Sequence, residues 1–196
     1  MSNNLLMGKI ILVSATPLEH GGLKDINGVP IFQVGIGKTN SAMNLTEVII
    51  KQKPDLVVNF GSCGNLKNHK VGEVIKVGTV YNNIDVRPFA EYGCTPESDI
   101  CEIKLSDSGV KCFSTDQIYD NTRTDYAEKY LEMIRECNIV DMECYPLAYV
   151  CKHYNVSFES YKWVSDDGNV DAWEENAAIG FQNFREHFLQ TFFGEY

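Results

Sequence analysis

The sequence is most informative at first through what it lacks. It has no pair of cysteines at CxxC spacing, and its seven cysteines (63, 94, 101, 112, 137, 144 and 151) are scattered and odd in number. That argues against a disulfide framework or a zinc site, and favours small buried thiols in a reducing, cytoplasmic setting. No apolar stretch approaches the roughly 20 residues needed to cross a bilayer. The start, "MSNNLLMGKIILVSA", has no basic region and runs straight into a strand-like segment, unlike a secretion signal. Basic residues are also scarce: 17 Lys and Arg stand against 27 Asp and Glu, only four are arginine, and the net charge is −10. A nucleic-acid binder needs a basic face to neutralise phosphates, and an anionic membrane attracts the same face. Both partners are therefore disfavoured, and a small molecule of little negative charge is the natural ligand.

What is present reads as one globular domain over residues 1–196. Hydrophobic residues make up 44% and charged residues 22%, enough to bury a core at this length. Short aliphatic runs such as "KIILVSA" (9–15), "VPIFQVGI" (29–36) and "DLVVNFGSCGN" (55–65) suit strands buried on both faces. "GEVIKVGTVYNN" alternates as a half-exposed strand does, and "VKCFSTD", "NIVDMEC" and "SFESYKWVSDD" are further strands. Helical spacing appears over 38–52, stopped by Pro54, over 123–137, and from Pro146 onward. In the closing helix, Trp173, Ala177, Phe181, Phe184 and Phe188 form one apolar face and read as core. The alternation implies an α/β fold: a single-domain three-layer sandwich with a central twisted mixed, mostly parallel, β-sheet flanked by helices.

In such folds, ligands gather where strands end in loops. Four strand ends carry polar residues that a sheet does not need: Thr16–Pro17–Leu18–Glu19, Ser62–Cys63–Gly64, Asp141–Met142–Glu143 and Ser165–Asp166–Asp167. They supply acids, a hydroxyl and a flexible turn, with no histidine, no metal-ligand spacing and no evident cationic partner. The four histidines (20, 69, 153 and 187) lie in polar contexts and read as exposed. Acids of this kind suit proton transfer and hydroxyl binding, as in cleavage of a glycosidic bond through an oxocarbenium-like transition state. Each also has a plainer reading: Asp166–Asp167–Gly168 and Ser62–Gly64 as turns, Glu19 as a solvated loop acid. Glu143 resists that reading, because an unpaired charge in an apolar strand end is expensive. Strand alternation would put Asp141 on the same side as Glu143.

"GIGK" (35–38), "NFGSCGNL" (59–66), "STDQIY" (114–119), "DMEC" (141–144) and "SDD" (165–167) follow one another in an order and spacing that resemble the nucleoside phosphorylase/nucleosidase superfamily. Within it, the chain resembles most the 5′-methylthioadenosine/S-adenosylhomocysteine nucleosidases, from Lys9 to the final helix. The resemblance implies hydrolysis of a purine nucleoside, a homodimer, a place in methionine salvage, and neither cofactor nor metal. It makes Asp166 the acid that protonates N7 of the departing base and Glu19 the group that activates water. Glu143 would hold the ribose hydroxyls, with Met142 packed on the sugar. Ser62, Cys63 and Gly64 would lie beside the ribose or the water, and Gln117, Ile118 and Tyr119 beside the base.

Phosphorylases of the superfamily bind phosphate and need cations for it. They commonly carry an arginine where this chain has Asn59, and Glu19 would repel phosphate. Hydrolysis is the favoured reading, with a phosphate-dependent phosphorylase and a non-catalytic nucleoside-binding module as alternatives. The chain also departs from the family. Cys144, Tyr145 and Pro146 follow the ribose-binding glutamate, Asn65 stands where a glycine is common, and the segment from Glu19 to Val29 is about twenty residues shorter than usual.

Overall fold

The computed structural model describes residues 8–96 and 100–194, without the side chains of 170–172, 174 and 175. The leading residues 1–7, on which part of the signal-peptide argument rests, lie outside this range. β1 (Ile10–Ser14) is followed by a single 3-10 turn at Pro17–His20, the short β2 (Asp25–Ile26) and β3 (Val29–Gln33). α1 (Lys38–Gln52) buries Ser41, Leu45 and Ile49, a four-residue repeat that keeps one stripe on the core, and ends just before Pro54. β4 (Leu56–Asn65), β5 (Val74–Asn82), β6 (Glu102–Lys104) and β7 (Val110–Ser114) come next. α2 (Glu128–Glu136), β8 (Ile139–Asp141), α3 (Cys144–Tyr154), β9 (Ser157–Asp166) and α4 (Val170–Phe193) complete the chain.

The order across the sheet is β2-β3-β1-β4-β8-β7-β5-β6, with β9 pairing both β4 and β5. β1 runs parallel to β3 and β4, and β9 runs parallel to β4 along most of its length. β8 meets the end of β4 antiparallel, and β5 meets β9 antiparallel. Strands β4, β8, β7, β5 and β9 thereby close a ring, a feature strand-by-strand reading does not reveal. Helices cover both faces. Leu45 and Ile49 of α1 and Leu147 and Val150 of α3 pack on Ile11, Val13 and Val57. On the opposite face Phe181, Phe184 and Phe188 of α4 pack on Leu12, Phe60 and Trp163. The mixed sheet between helical layers is the expected architecture.

Several local expectations need correction. The apolar run "NIVDMEC" does not stay extended: β8 stops at Asp141 and α3 starts at Cys144. Pro146 is thus the third helical residue rather than the first, still within the turn whose N–H groups have no helical partner. His20 is buried rather than exposed. Cys63, Cys112, Cys137, Cys144 and Cys151 are buried free thiols as expected, but Cys94 and Cys101 are joined in a disulfide. No helix among the described residues is long and apolar enough to cross a membrane.

Candidate active site

The C-terminal ends of β1, β4, β7, β8 and β9 surround one cavity of about 240 Å³. All ten residues singled out from the sequence line it. Glu19, Ser62, Cys63 and Gly64 come from the β1 and β4 side. Gln117, Ile118 and Tyr119 follow β7, Met142 and Glu143 follow β8, and Asp166 ends β9. Asp166 and Glu143, 23 residues apart in the chain, open onto the same hollow.

Glu19 is held by the turn that follows β1. Its Oε2 accepts from the backbone N–H groups of Ala15 at 2.9 Å and Thr16 at 3.2 Å. Its Oε1 accepts from the Ser62 N–H and the Ser62 hydroxyl, both at 2.9 Å. With the shortened segment after it, Glu19 still lies in the cavity wall. The close fit needs Gly61, since a Cβ there would lie 2.8 Å from Glu19 Oε1.

Asp166 accepts from the Gly168 N–H at 2.9 Å through Oδ1 and from the Ser165 hydroxyl at 2.8 Å through Oδ2. Burial raises its pKa against the opposing pull of these two donors. A carboxyl shifted in this direction is suited to carry a proton to a leaving group. The segment after β7 is braced nearby: the Gln117 N–H donates to Thr115 Oγ1 at 3.0 Å, and the Tyr119 ring stacks on Tyr126 at 6.0 Å. Gly168 is close to that ring, because an added Cβ would come within 3.0 Å of Tyr119 Cε1.

Asp141 and Glu143 have different tasks, which strand alternation obscured. Asp141 is buried beneath the cavity, where Lys162 Nζ lies 2.8 Å from its Oδ2. Its Oδ2 also accepts from the Cys144 N–H at 2.8 Å and the Glu143 N–H at 3.2 Å, so it caps the start of α3. The Ser114 hydroxyl donates to Oδ1. Burial alone would raise the Asp141 pKa, but Lys162 and these donors outweigh it and leave it lowered. Burial likewise opposes the charge on Lys162, and the surrounding acids, Asp141 first, raise its pKa well above the usual lysine range. Glu143 turns toward α1 and accepts from the Gly37 N–H at 2.9 Å. Its pKa is pushed up to about 8, by burial first, with Lys162 opposing and Asp141 and Glu19 adding.

Two features escaped sequence reading. The acids do have a cationic partner, Lys162, whose signal was a lysine inside the apolar strand "SYKWVS". Trp173 is not simply core: it lines the cavity and its indole N–H donates to Ser62 Oγ at 2.9 Å. Asn59 does not reach the cavity; its Oδ1 accepts from the Ser160 hydroxyl at 2.9 Å within the sheet. Arg87 is paired with Asp85 at 2.7 Å and borders a separate surface cleft. Cys112, Asp141 and Cys144 place three potential metal-ligand atoms within 4.8 Å of one another. The charge of that carboxylate is already met by Lys162, which disfavours a cation there.

Three carboxylates around one cavity at the strand ends of a closed mixed sheet point to a class, and sequence comparison names it. A model of the phosphorylase superfamily matches residues 17–194, and the chain belongs to that superfamily. Its relatives include 5′-methylthioadenosine/S-adenosylhomocysteine nucleosidases. The one from Exiguobacterium sp. is 30% identical over 81% of this chain and 73% of its own, which places the chain on the nucleosidase branch. The one from Staphylococcus aureus (strain bovine RF122 / ET3-1) is 29% identical over 95% of this chain and 86% of its own. Among solved structures, the Neisseria meningitidis nucleosidase in complex with methylthio-immucillin-A shares the fold with a TM-score of 0.76 at 19% identity, covering 90% of this chain and 95% of its own. Futalosine hydrolase of Helicobacter pylori does so with a TM-score of 0.79 at 18% identity, covering 95% and 97%.

Proposed function

We propose that the protein is a purine nucleosidase that hydrolyses the N-glycosidic bond of a 5′-modified adenosine, such as methylthioadenosine or S-adenosylhomocysteine. One observation carries the reading: Asp166, Glu143 and Glu19 border a single sugar-sized cavity. Asp166 gives its proton to N7 as the bond from C1′ to N9 breaks and its electron pair leaves with the purine. The sugar passes through an oxocarbenium-like state, which the carboxylates beneath it favour. Water adds to C1′ and yields a proton to Glu19. Glu143 binds the ribose hydroxyls. Burial favours its neutral form in the free site, whereas hydroxyls donating to it favour the anion, so sugar binding is linked to proton release. Gln117, Ile118 and Tyr119 flank the base, and Met142 packs on the sugar.

Water rather than phosphate is the supported nucleophile, because no Lys, Arg or His is among the described residues lining the cavity. The reading takes the chain as one domain needing no cofactor, acting in the cytoplasm in methionine salvage, and as a homodimer by its family resemblance. Incubation with methylthioadenosine in phosphate-free buffer should release free adenine. Base release only on adding phosphate, with ribose 1-phosphate formed, would replace the hydrolase with a phosphorylase. Binding without turnover under both conditions would leave a nucleoside-binding module. Size-exclusion chromatography with light scattering tests the dimer.

A further inference from the structure

Glu19 is saturated. A carboxylate offers about four acceptor sites, and four donors fill them here: the N–H groups of Ala15, Thr16 and Ser62, and the Ser62 hydroxyl. A water that is to surrender a proton to Glu19 needs one of those sites. The three N–H groups are fixed by the backbone at the ends of β1 and β4. Only the Ser62 hydroxyl can turn away, since rotation about its C–O bond breaks no covalent bond. Trp173 decides what happens to the hydroxyl's oxygen. Indole is a donor only, so Ser62 Oγ must accept at that 2.9 Å contact, leaving its single proton to move between Glu19 and an incoming water.

We propose that Trp173 is a positioning residue for hydrolysis, which holds the Ser62 oxygen in place while the Ser62 proton swings off Glu19 to admit the attacking water. The inference rests on the function proposed above and assigns a role to a side chain that the sequence presents as helix core. The contact couples the start of α4 to the end of β4. The indole spans 111 residues of sequence to reach the hydroxyl.

A double-mutant cycle with Trp173→Phe and Ser62→Ala tests it, using adenine release from methylthioadenosine. Phe keeps an aromatic face on the cavity and removes the donor. Loss of one neutral hydrogen bond acting in the chemical step should lower kcat about three- to tenfold with KM changed less than about twofold. In the Ser62→Ala background the same Trp173→Phe change should alter kcat by less than about twofold, because the partner is gone. Equal losses in both backgrounds, or a loss confined to KM, would overturn the relay and leave Trp173 as a packing residue. The contact itself is read without turnover. The chain has two tryptophans, and Trp163 Nε1 is buried with no partner among the described residues. In ¹H–¹⁵N spectra, Ser62→Ala should shift the Trp173 indole signal and speed its solvent exchange. The buried Trp163 pairs with Ser62 across the sheet, but its indole N–H makes no hydrogen bond to it and should keep its slow exchange. An unmoved Trp173 signal would overturn the geometry. Lack of turnover by the unaltered protein would instead defeat the function, and the positioning role with it, while that signal still reports on the hydrogen bond.

Discussion

Replacing Lys162 with methionine should be the most damaging single change outside the cavity. The ammonium lies 2.8 Å from Asp141, and the two side chains are 2% and 0% exposed. Methionine fills much of the same space, so the loss is one of charge balance rather than volume. A buried acid left without its cation costs about 3–5 kcal/mol, against a total stability of about 5–15 kcal/mol for a domain. Asp141 cannot escape cheaply by taking up a proton, because it also accepts the N–H groups that begin α3. At a urea dependence of about 2 kcal/mol/M, the midpoint should fall by about 1.5–2.5 M. Asp141→Asn added to Lys162→Met removes the stranded charge while keeping an acceptor for α3, and should recover at least half of the loss. A midpoint shift under about 0.5 M for Lys162→Met alone, or no recovery in the double variant, would refute the charge-balance argument. The pair also has a pH signature. The Asp141 pKa is lowered in the fold, so its contribution is present above the unfolded value of about 3.9 and disappears as pH falls through the folded one.

Asp166→Asn should cut kcat by about 10²–10⁴-fold with an unchanged melting profile, and near-normal turnover would remove Asp166 from the acid role. Because burial raises the Asp166 pKa, activity should decline as pH rises through that value, and the decline should vanish in the Asn variant's residual rate. Glu143 predicts the opposite trend to Asp141 for folding. Its pKa rises from about 4.3 unfolded to about 8 folded, so the fold holds more protons and stability should fall as pH climbs across that window. Glu143→Gln should flatten that slope in urea titrations at several pH values. Gly180→Ala should destabilise by about 1–3 kcal/mol or more, since its Cβ would sit 1.9 Å from the Trp163 ring. A normal melting temperature in that variant would contradict the packing of α4 on β9.

Much of the architecture was legible because it follows from local pattern. Continuous aliphatic runs mark strands buried on both faces, and the four-residue repeats of α1 and α4 mark helices with one apolar face. Glu19, Ser62–Gly64, Met142–Glu143 and Asp166 were legible because they fall at strand ends whose polar residues a sheet does not need, whereas Gln117, Ile118 and Tyr119 were pointed to only by the resemblance to a known family. The interruption at Asp141 was not legible, since "IVDMECYPLAYV" is as apolar as a strand and its turn into α3 depends on a carboxylate capping the helix. Nor was the pairing of Asp141 with Lys162, because two charges on separate strands show no periodicity that joins them. The same holds for Trp173, whose place on the apolar stripe of α4 is real but whose indole N–H faces Ser62.

The sequence alone determined which segments become strands and helices and which acids are available, because these depend on neighbours a few residues away. Three-dimensional packing sets which acid is neutralised, which is pushed toward its protonated form, and which is saturated by donors. Those outcomes are set by burial and by charges brought within a few ångströms across the ring of β4, β8, β7, β5 and β9. Electrostatic interaction falls with distance in space and not along the chain.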